Sequence, residues 1–253
     1  MSDATGSARP LLRFDRVSKG FGTTNAVQNV SFDISPGEVV GLVGDNGAGK
    51  STIVKLITGY HSPSTGKIFF DGRLVRLTSP SAARGLGIEA VFQDLALVDE
   101  LSLWRNFFLG KELRGRFGVL AKRKMRRICK LELATIGLQR IYSVNGPAAV
   151  LSGGEKQSLS ITRAVYFGAR LLLLDEPVAA LSVRETQHVF TTIRVARDKG
   201  LGVLYIDHNM AHVLPVADRI LLVEHGTLAR EFKRGEITAS ELADILAGGL
   251  GKE

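Results

Sequence analysis

The stretch Gly44-Asp45-Asn46-Gly47-Ala48-Gly49-Lys50-Ser51 fits the pattern G-x-x-x-x-G-K-[ST], with Thr52 next in line. Glycines at these spacings let backbone N–H groups converge on phosphate oxygens. A lysine there offers a point charge to the β- and γ-phosphates, and a serine hydroxyl can ligate Mg²⁺. Asp175 and Glu176 close the apolar run Leu171-Leu172-Leu173-Leu174 and precede Pro177. Asp175 suits the Mg²⁺ shell; Glu176, turned differently by strand alternation, suits polarisation of a water for in-line attack on a γ-phosphate. Leu151-Ser152-Gly153-Gly154-Glu155-Lys156-Gln157 has the Ser-x-x-Glu spacing of a capping box, which by itself marks a helix start. Two glycines in a first turn are poor helix formers, so another group is expected to approach this backbone closely. An exposed helix N-terminus of this kind is best used on the γ-phosphate of a nucleotide held by another subunit.

These residues need elements to hold them. Glu38 to Val43 reads as an apolar strand leading into the glycine-rich loop, and Lys50 to Tyr60 has helical spacing, the strand–loop–helix order that phosphate binding requires. Leu11 to Phe14, Ala26 to Ile34 and Lys67 to Phe70 are strand-like, with turn signals at Ser35-Pro36-Gly37 and Asp71-Gly72. From about Leu95 to Ala169 the pattern turns helical, over Leu101 to Leu109, Ala121 to Leu138 and Glu155 to Phe167. Strands resume at Leu171 to Asp175 and Gly202 to Asp207 around a helix from Val183 to Lys199; a strand pair over Ile220 to Glu231 and a helix at Ser240 to Ala247 follow. The fold class expected is α/β, a P-loop core with an N-terminal antiparallel β part and a helical insertion. The expected boundaries are a flexible N-terminus at 1–10, one domain at 11–248 (core 11–94 and 170–248, helical subdomain 95–169) and a tail at 249–253.

At 253 residues, 45% hydrophobic and 23% charged, the composition is that of a globular chain and excludes disorder and collagen-like repeats. The one cysteine, Cys129, cannot make an intrachain disulfide, which suits a reduced, cytosolic setting. Met1 to Pro10 lacks the apolar stretch of a secretory signal, and no apolar run approaches the roughly 18 residues that span a bilayer. The net charge of +8 is local: residues 111–130 hold nine basic residues and one acid, and the rest of the chain sums to zero.

The phosphate loop, the LSGGEKQ run and the LLLLDEP strand, in this order, resemble the nucleotide-binding subunit of ABC transporters over about residues 11 to 247. The resemblance implies that Gln93, in Val91-Phe92-Gln93-Asp94, reaches the Mg²⁺ and the attacking water. It implies that His208 contacts the γ-phosphate, that Phe21 stacks on adenine, and that Ser152, Gly153, Gly154 and Gln157 face a nucleotide held by a second copy. The catalytic set it implies is Glu176, His208, Gln93 and Lys50, with Ser51, Gln93 and Asp175 as metal ligands, and ATP and Mg²⁺ as what the site takes. Finer wording, such as Ala179-Ala180-Leu181-Ser182-Val183-Arg184-Glu185 and His208-Asn209-Met210, is similar to ATPases of ribose-, xylose- and fructose-type importers. With one phosphate loop, two copies are needed for two composite sites.

The implied partners are a membrane permease, a periplasmic sugar-binding protein and a second copy of the chain, at the cytoplasmic face of the inner membrane; nucleic acid is not expected. Another solute as cargo, action on ribosomes or DNA, and an ATP-holding regulatory module remain as alternatives. Two positions depart from the family pattern: Ser182 replaces a common aspartate, and Asp207 replaces a common serine. Asp207 is expected to affect His208 little, because neighbouring strand residues point opposite ways. The basic cluster reads as a solvated helix face or as attraction to anionic lipid headgroups.

Overall fold

Val39–Val43 and Gly202–Ile206 are buried along their whole length. Strands covered on both faces read as continuous apolar runs with no alternation. The computed structural model describes residues 9–92, 95–138 and 143–246. Its elements in chain order are β1 (Leu12–Phe21), β2 (Thr24–Ile34), β3 (Val39–Val43), α1 (Lys50–Ile57), β4 (Thr65–Phe70), β5 (Arg73–Val75), α2 (Pro80–Gly85), β6 (Ile88–Val91), α3 (Leu103–Phe108), α4 (Lys122–Thr135), α5 (Gly153–Tyr166), β7 (Leu171–Asp175), α6 (Val183–Asp198), β8 (Gly202–Ile206), α7 (Met210–Val213), β9 (Arg219–Glu224), β10 (Thr227–Lys233) and α8 (Ala239–Leu246). Contacts divide the chain into two units, residues 1–90 with 169–176 and 197–253, and residues 91–168 with 177–196.

The first unit contains two sheets. One has six strands in the order β10-β9-β3-β8-β7-β6, with β3 parallel to β8 and β9, and β7 parallel to β8. The other has four antiparallel strands in the order β2-β1-β4-β5. Ile53, Leu56 and Ile57 of α1 share one apolar core with Phe14 and Ile34 of the antiparallel sheet and Leu173 and Leu204 of the parallel one. Burying each such side chain contributes about 1.5–3 kcal/mol, so the helix that follows the glycine-rich loop is fixed from both sides. β1 extends to Phe21, beyond the Phe14 expected from sequence, because a bulge with Arg16 at φ 50° breaks the two-residue alternation. The short elements β5, α2 and β6 carry too few residues to show a period. The start of α2 is nonetheless written locally: Ser79 accepts from Ala82 N at 3.2 Å and Pro80 occupies the first turn.

The second unit is helical. Met125, Cys129 and Leu133 form one stripe of α4 and enter a core with Leu103, Trp104, Phe107 and Phe108 of α3 and Leu159 of α5. Burial pushes the Cys129 thiol up to about 12, so it behaves as a small apolar group. Asn106 is fully buried and satisfied: its Oδ1 accepts from Val98 N at 2.8 Å and its Nδ2 donates to Val98 O at 2.9 Å and Leu101 O at 3.0 Å. The sequence reading ended the helical part at 169 and gave the next helix to the core, whereas Pro177–Ala196 groups with the helical unit. The reason lies in the partners of α6: Thr192 Oγ1 donates to Ser158 Oγ of α5 at 3.1 Å, both groups buried. A β–α–β rhythm shows that a helix intervenes, not what it packs on.

Candidate functional site

In the first unit, Ala26, the loop residues Asn46, Gly47 and Gly49, Lys50, Ser51, Thr52, Asp175, Glu176 and Ile206 line a cavity of about 180 Å³. The loop is shaped by close backbone approaches. Gly44 has φ 151° and a Cβ there would lie 2.2 Å from Val223 O; Gly49 has φ 110° and its Cβ would lie 2.5 Å from Ala26 O. Only glycine fits both positions. Gly49 also caps α1 without a side-chain acceptor, and no carbonyl among the described residues accepts from the N–H groups of Gly47, Gly49, Lys50 and Ser51. These N–H groups, at the positive end of the helix dipole, form an anion-binding nest. Ala48 contributes backbone only, its methyl being buried in the core.

Lys50 is buried, and its Nζ donates to Gly44 O and to Asp45 O, the latter at 2.9 Å. Burial lowers its pKa, opposed by the carboxylates of Glu176, Asp45, Asp175 and Asp207. Asp175, at the end of β7, is raised by burial first and by the Glu176 charge second, with Lys50 opposing. Glu176 follows with φ 47°, and its N–H donates to Ile206 O at 2.8 Å. This left-handed backbone, and not the strand alternation expected from sequence, aims its side chain. Such strain costs about 1–3 kcal/mol and concentrates at functional sites.

Glu176 Oε1 lies 2.7 Å from His208 Nδ1. A carboxylate oxygen accepts, so this contact places the Nδ1 proton of His208 toward Glu176. Asp207 turns inward, as the alternation argument expects, yet its Oδ1 still stands 3.7 Å from His208 Nδ1. That oxygen accepts from Asn209 N at 2.9 Å, and Oδ2 accepts from His212 Nδ1 at 3.1 Å. Asp207 therefore organises the start of α7 behind His208, a role the sequence reading missed. Asp45, expected in the phosphate loop, lines a separate cavity of about 670 Å³ with His208, Asn209 and Ala243. Phe21 ends β1 with its ring 45% exposed, edge-on to His61 and beneath Lys19 Nζ; it is not among the residues lining the 180 Å³ cavity. Gln93 lies outside the described residues.

In the second unit, Ser152 and Gly154 line a groove of about 690 Å³ with Glu155, Arg184, Glu185 and His188. The capping box forms: Ser152 Oγ accepts from Glu155 N at 3.4 Å and Glu155 Oε2 accepts from Ser152 N at 2.9 Å. The close approach that the two glycines were expected to permit is made by the chain itself. A Cβ on Gly154 would lie 2.8 Å from Glu185 Cβ, and one on Gly153 would lie 2.7 Å from Leu181 Cδ2. Gln157 is buried, its Nε2 has no hydrogen-bond partner among the described residues, and it does not line the groove.

Glu185 is a further residue missed from sequence. Its Oε1 accepts from Gly154 N at 3.4 Å, and its Oε2 accepts from Ser182 N at 3.0 Å and Ser182 Oγ at 2.7 Å. Hydrogen bonds from Ser182 first, then from the Ser152 side chain and Gly154 N, hold its carboxyl at about 2. Ser182-x-x-Glu185 repeats the capping spacing of Ser152-x-x-Glu155, a signal present in the sequence. Ser182, in place of the acid common in the resembling family, is thus the donor that fixes Glu185.

The ABC transporter family model matches residues 27–179. The chain is 43% identical over 243 residues to the xylose/arabinose import ATP-binding protein of Sulfolobus acidocaldarius, covering 96% of each. It is 37% identical over 246 residues to a ribose import ATP-binding protein of Burkholderia ambifaria, covering 96% of this chain and 47% of that protein, so it spans about half the length of that relative. Its fold is similar to a crystal structure of the ADP conformation of an ATP-binding cassette of an ABC transporter, with TM-score 0.79 and 24% identity over 95% of this chain and 96% of that one.

Proposed function

Because the chain belongs to the ABC transporter family, we propose that it powers uptake of a monosaccharide or related carbohydrate through a separate membrane permease. It is an ATP-binding and ATP-hydrolysing subunit. The observation that carries the site assignment is the convergence of Lys50, Ser51, Asp175 and Glu176 on one cavity roofed by free backbone N–H groups. The sugar cargo is supported by the names of the relatives, which are import proteins for xylose/arabinose and ribose.

In the proposed reaction, the N–H groups of Gly47, Gly49, Lys50 and Ser51 and Lys50 Nζ bind the β- and γ-phosphates, Lys50 exchanging the carbonyls of Gly44 and Asp45 for phosphate oxygens. Glu176 accepts a proton from the water that attacks the γ-phosphorus, the bond between that phosphorus and the β,γ-bridging oxygen breaks, and ADP and phosphate result. His208 positions Glu176 through the 2.7 Å contact and places its ring at the γ-phosphate edge. Hard oxygen donors at Ser51 and Asp175 fit Mg²⁺. The cation would neutralise phosphate charge and the carboxylate charge that burial disfavours on Asp175. Phe21 offers an exposed ring for adenine.

Ser152 and Gly154 complete the site of a second copy, so two chains enclose two nucleotides. A periplasmic sugar-binding protein delivers the cargo, and the subunit works at the cytoplasmic face of the membrane. Among the described residues no helix is long and apolar enough to cross a membrane, so attachment comes through the permease and the surface. Reconstitution with the permease tests this: a sugar-loaded binding protein raises the ATPase rate several-fold. Stimulation by an amino acid-loaded system and not by any sugar would overturn the cargo.

A further inference from the structure

All nine basic residues of the segment 111–130 are exposed. Arg114, Arg116, Lys122, Arg123, Lys124, Arg126, Arg127 and Lys130 make no ion pair among the described residues. Local rules oppose this arrangement. Lys122, Arg123 and Lys124 fill the first turn of α4, which has no acidic residue and no side-chain cap; cations there face the positive end of the helix dipole. Lys122 and Arg126, Arg123 and Arg127, and Arg126 and Lys130 are like charges one turn apart, which repel.

The chain before α4 folds into a narrow hairpin. Arg114 bridges Leu120, Gly115 N donates to Val119 O at 2.7 Å and Ala121 N donates to Leu113 O at 2.8 Å. Phe117 stands at its tip with φ 62° and 90% exposure, Val119 is 66% exposed, and the Arg116 guanidinium lies 5.4 Å from the Phe117 ring. A bulky residue in the left-handed region, followed by Gly118 and denied any core, is strained as well as solvated. Charge repulsion, dipole mismatch, strain and an exposed aromatic at one place are the departures from local consistency that mark a functional surface.

We propose that this hairpin and the outer face of α4 contact the lipid bilayer directly, with Phe117 and Val119 entering the headgroup boundary and the cations engaging anionic phospholipids. The geometry favours a lipid surface over a protein groove: the apolar element is one protruding tip, and exposed cations of the hairpin and of α4 stand on either side of it in the chain, which is the composition of interfacial anchors. The contact is additional to the permease and independent of nucleotide turnover.

Co-sedimentation of the full chain with vesicles tests it. The wild type pellets with phosphatidylcholine vesicles carrying about 30% phosphatidylglycerol, not with pure phosphatidylcholine, and is released by high salt. Phe117→Gly removes the ring and relieves the backbone, so the chain folds normally and partition falls about tenfold. Changing Arg123, Lys124, Arg126 and Arg127 together to Gln lowers partition by about six-hundredfold, at roughly fivefold per charge. Basal ATPase activity stays within about twofold in both variants. Equal partition of the wild type onto neutral and anionic vesicles, or both variants binding like the wild type, would overturn the proposal. So would variants that bind vesicles normally and lose only their stimulation by the permease, because the surface would then be a protein contact.

Discussion

Glu176, Asp207 and Glu185 are three acids whose work is set by their neighbours. Glu176 was legible from its place after an apolar strand, but its aim depends on a φ of 47°, which residue types do not encode. Asp207 is buried and gives each oxygen a partner, Asn209 N and His212 Nδ1. Asp207→Ala leaves two donors without acceptors and lowers stability by about 1–3 kcal/mol, read as a drop in Tm. Asp207→Ser can still cap Asn209 N, so its ATPase rate stays within about tenfold of the wild type. Glu185 has a folded-state pKa of about 2, below its ordinary 4.5. For a depressed acid the stabilisation is complete above the unfolded value and disappears as pH falls through the folded one. The stability gap between wild type and Glu185→Gln is therefore full above about pH 4.5 and closes towards pH 2; a gap that widens on acidification would refute the assignment. The partners of Glu185 come from segments about thirty residues apart, which is why the second Ser-x-x-Glu spacing, though readable, did not announce its reach to Gly154.

The elements that hold these residues differ in how openly they are written. Leu171–Asp175 appears with the bounds expected from its leucine run, and the turn at Asp71-Gly72 forms with φ 50° and 62°, the left-handed pair that favours glycine. The bulge at Arg16, the three-residue β5 and the six-residue α2 fell below the length at which a period shows. The phosphate loop depends on element packing as much as on its motif, since Gly44 touches β9 through Val223 O. Gly44→Ala adds about 1–3 kcal/mol of backbone strain plus the clash, and it weakens ATP binding at least tenfold by calorimetry. The first turn of α4 offers the converse test. Arg123→Glu replaces a cation at the positive helix end, so thermal stability rises by about 0.3–1 kcal/mol, while partition onto anionic vesicles falls.

At the scale of the whole molecule, the α/β class and the presence of a helical part were readable, while the grouping of Pro177–Ala196 with that part was not, because it rests on Ser158, Thr192, Gly154 and Glu185 meeting in space. The net charge of +8, a whole-chain number, resolves into one hairpin and one helix of the helical unit. Each unit carries part of the proposed machinery: the phosphate loop, Asp175, Glu176 and His208 in one, and Ser152 and Gly154 in the other. The described residues hold one set of each, and the proposed enclosure of two nucleotides takes a second such set. Glu176→Gln with ATP and Mg²⁺, followed by light scattering and phosphate release, tests this most directly. A dimer that accumulates with bound ATP while hydrolysis falls by about 10²–10⁴ is the predicted result; hydrolysis at the wild-type rate, or a variant that binds ATP and stays monomeric, would contradict it.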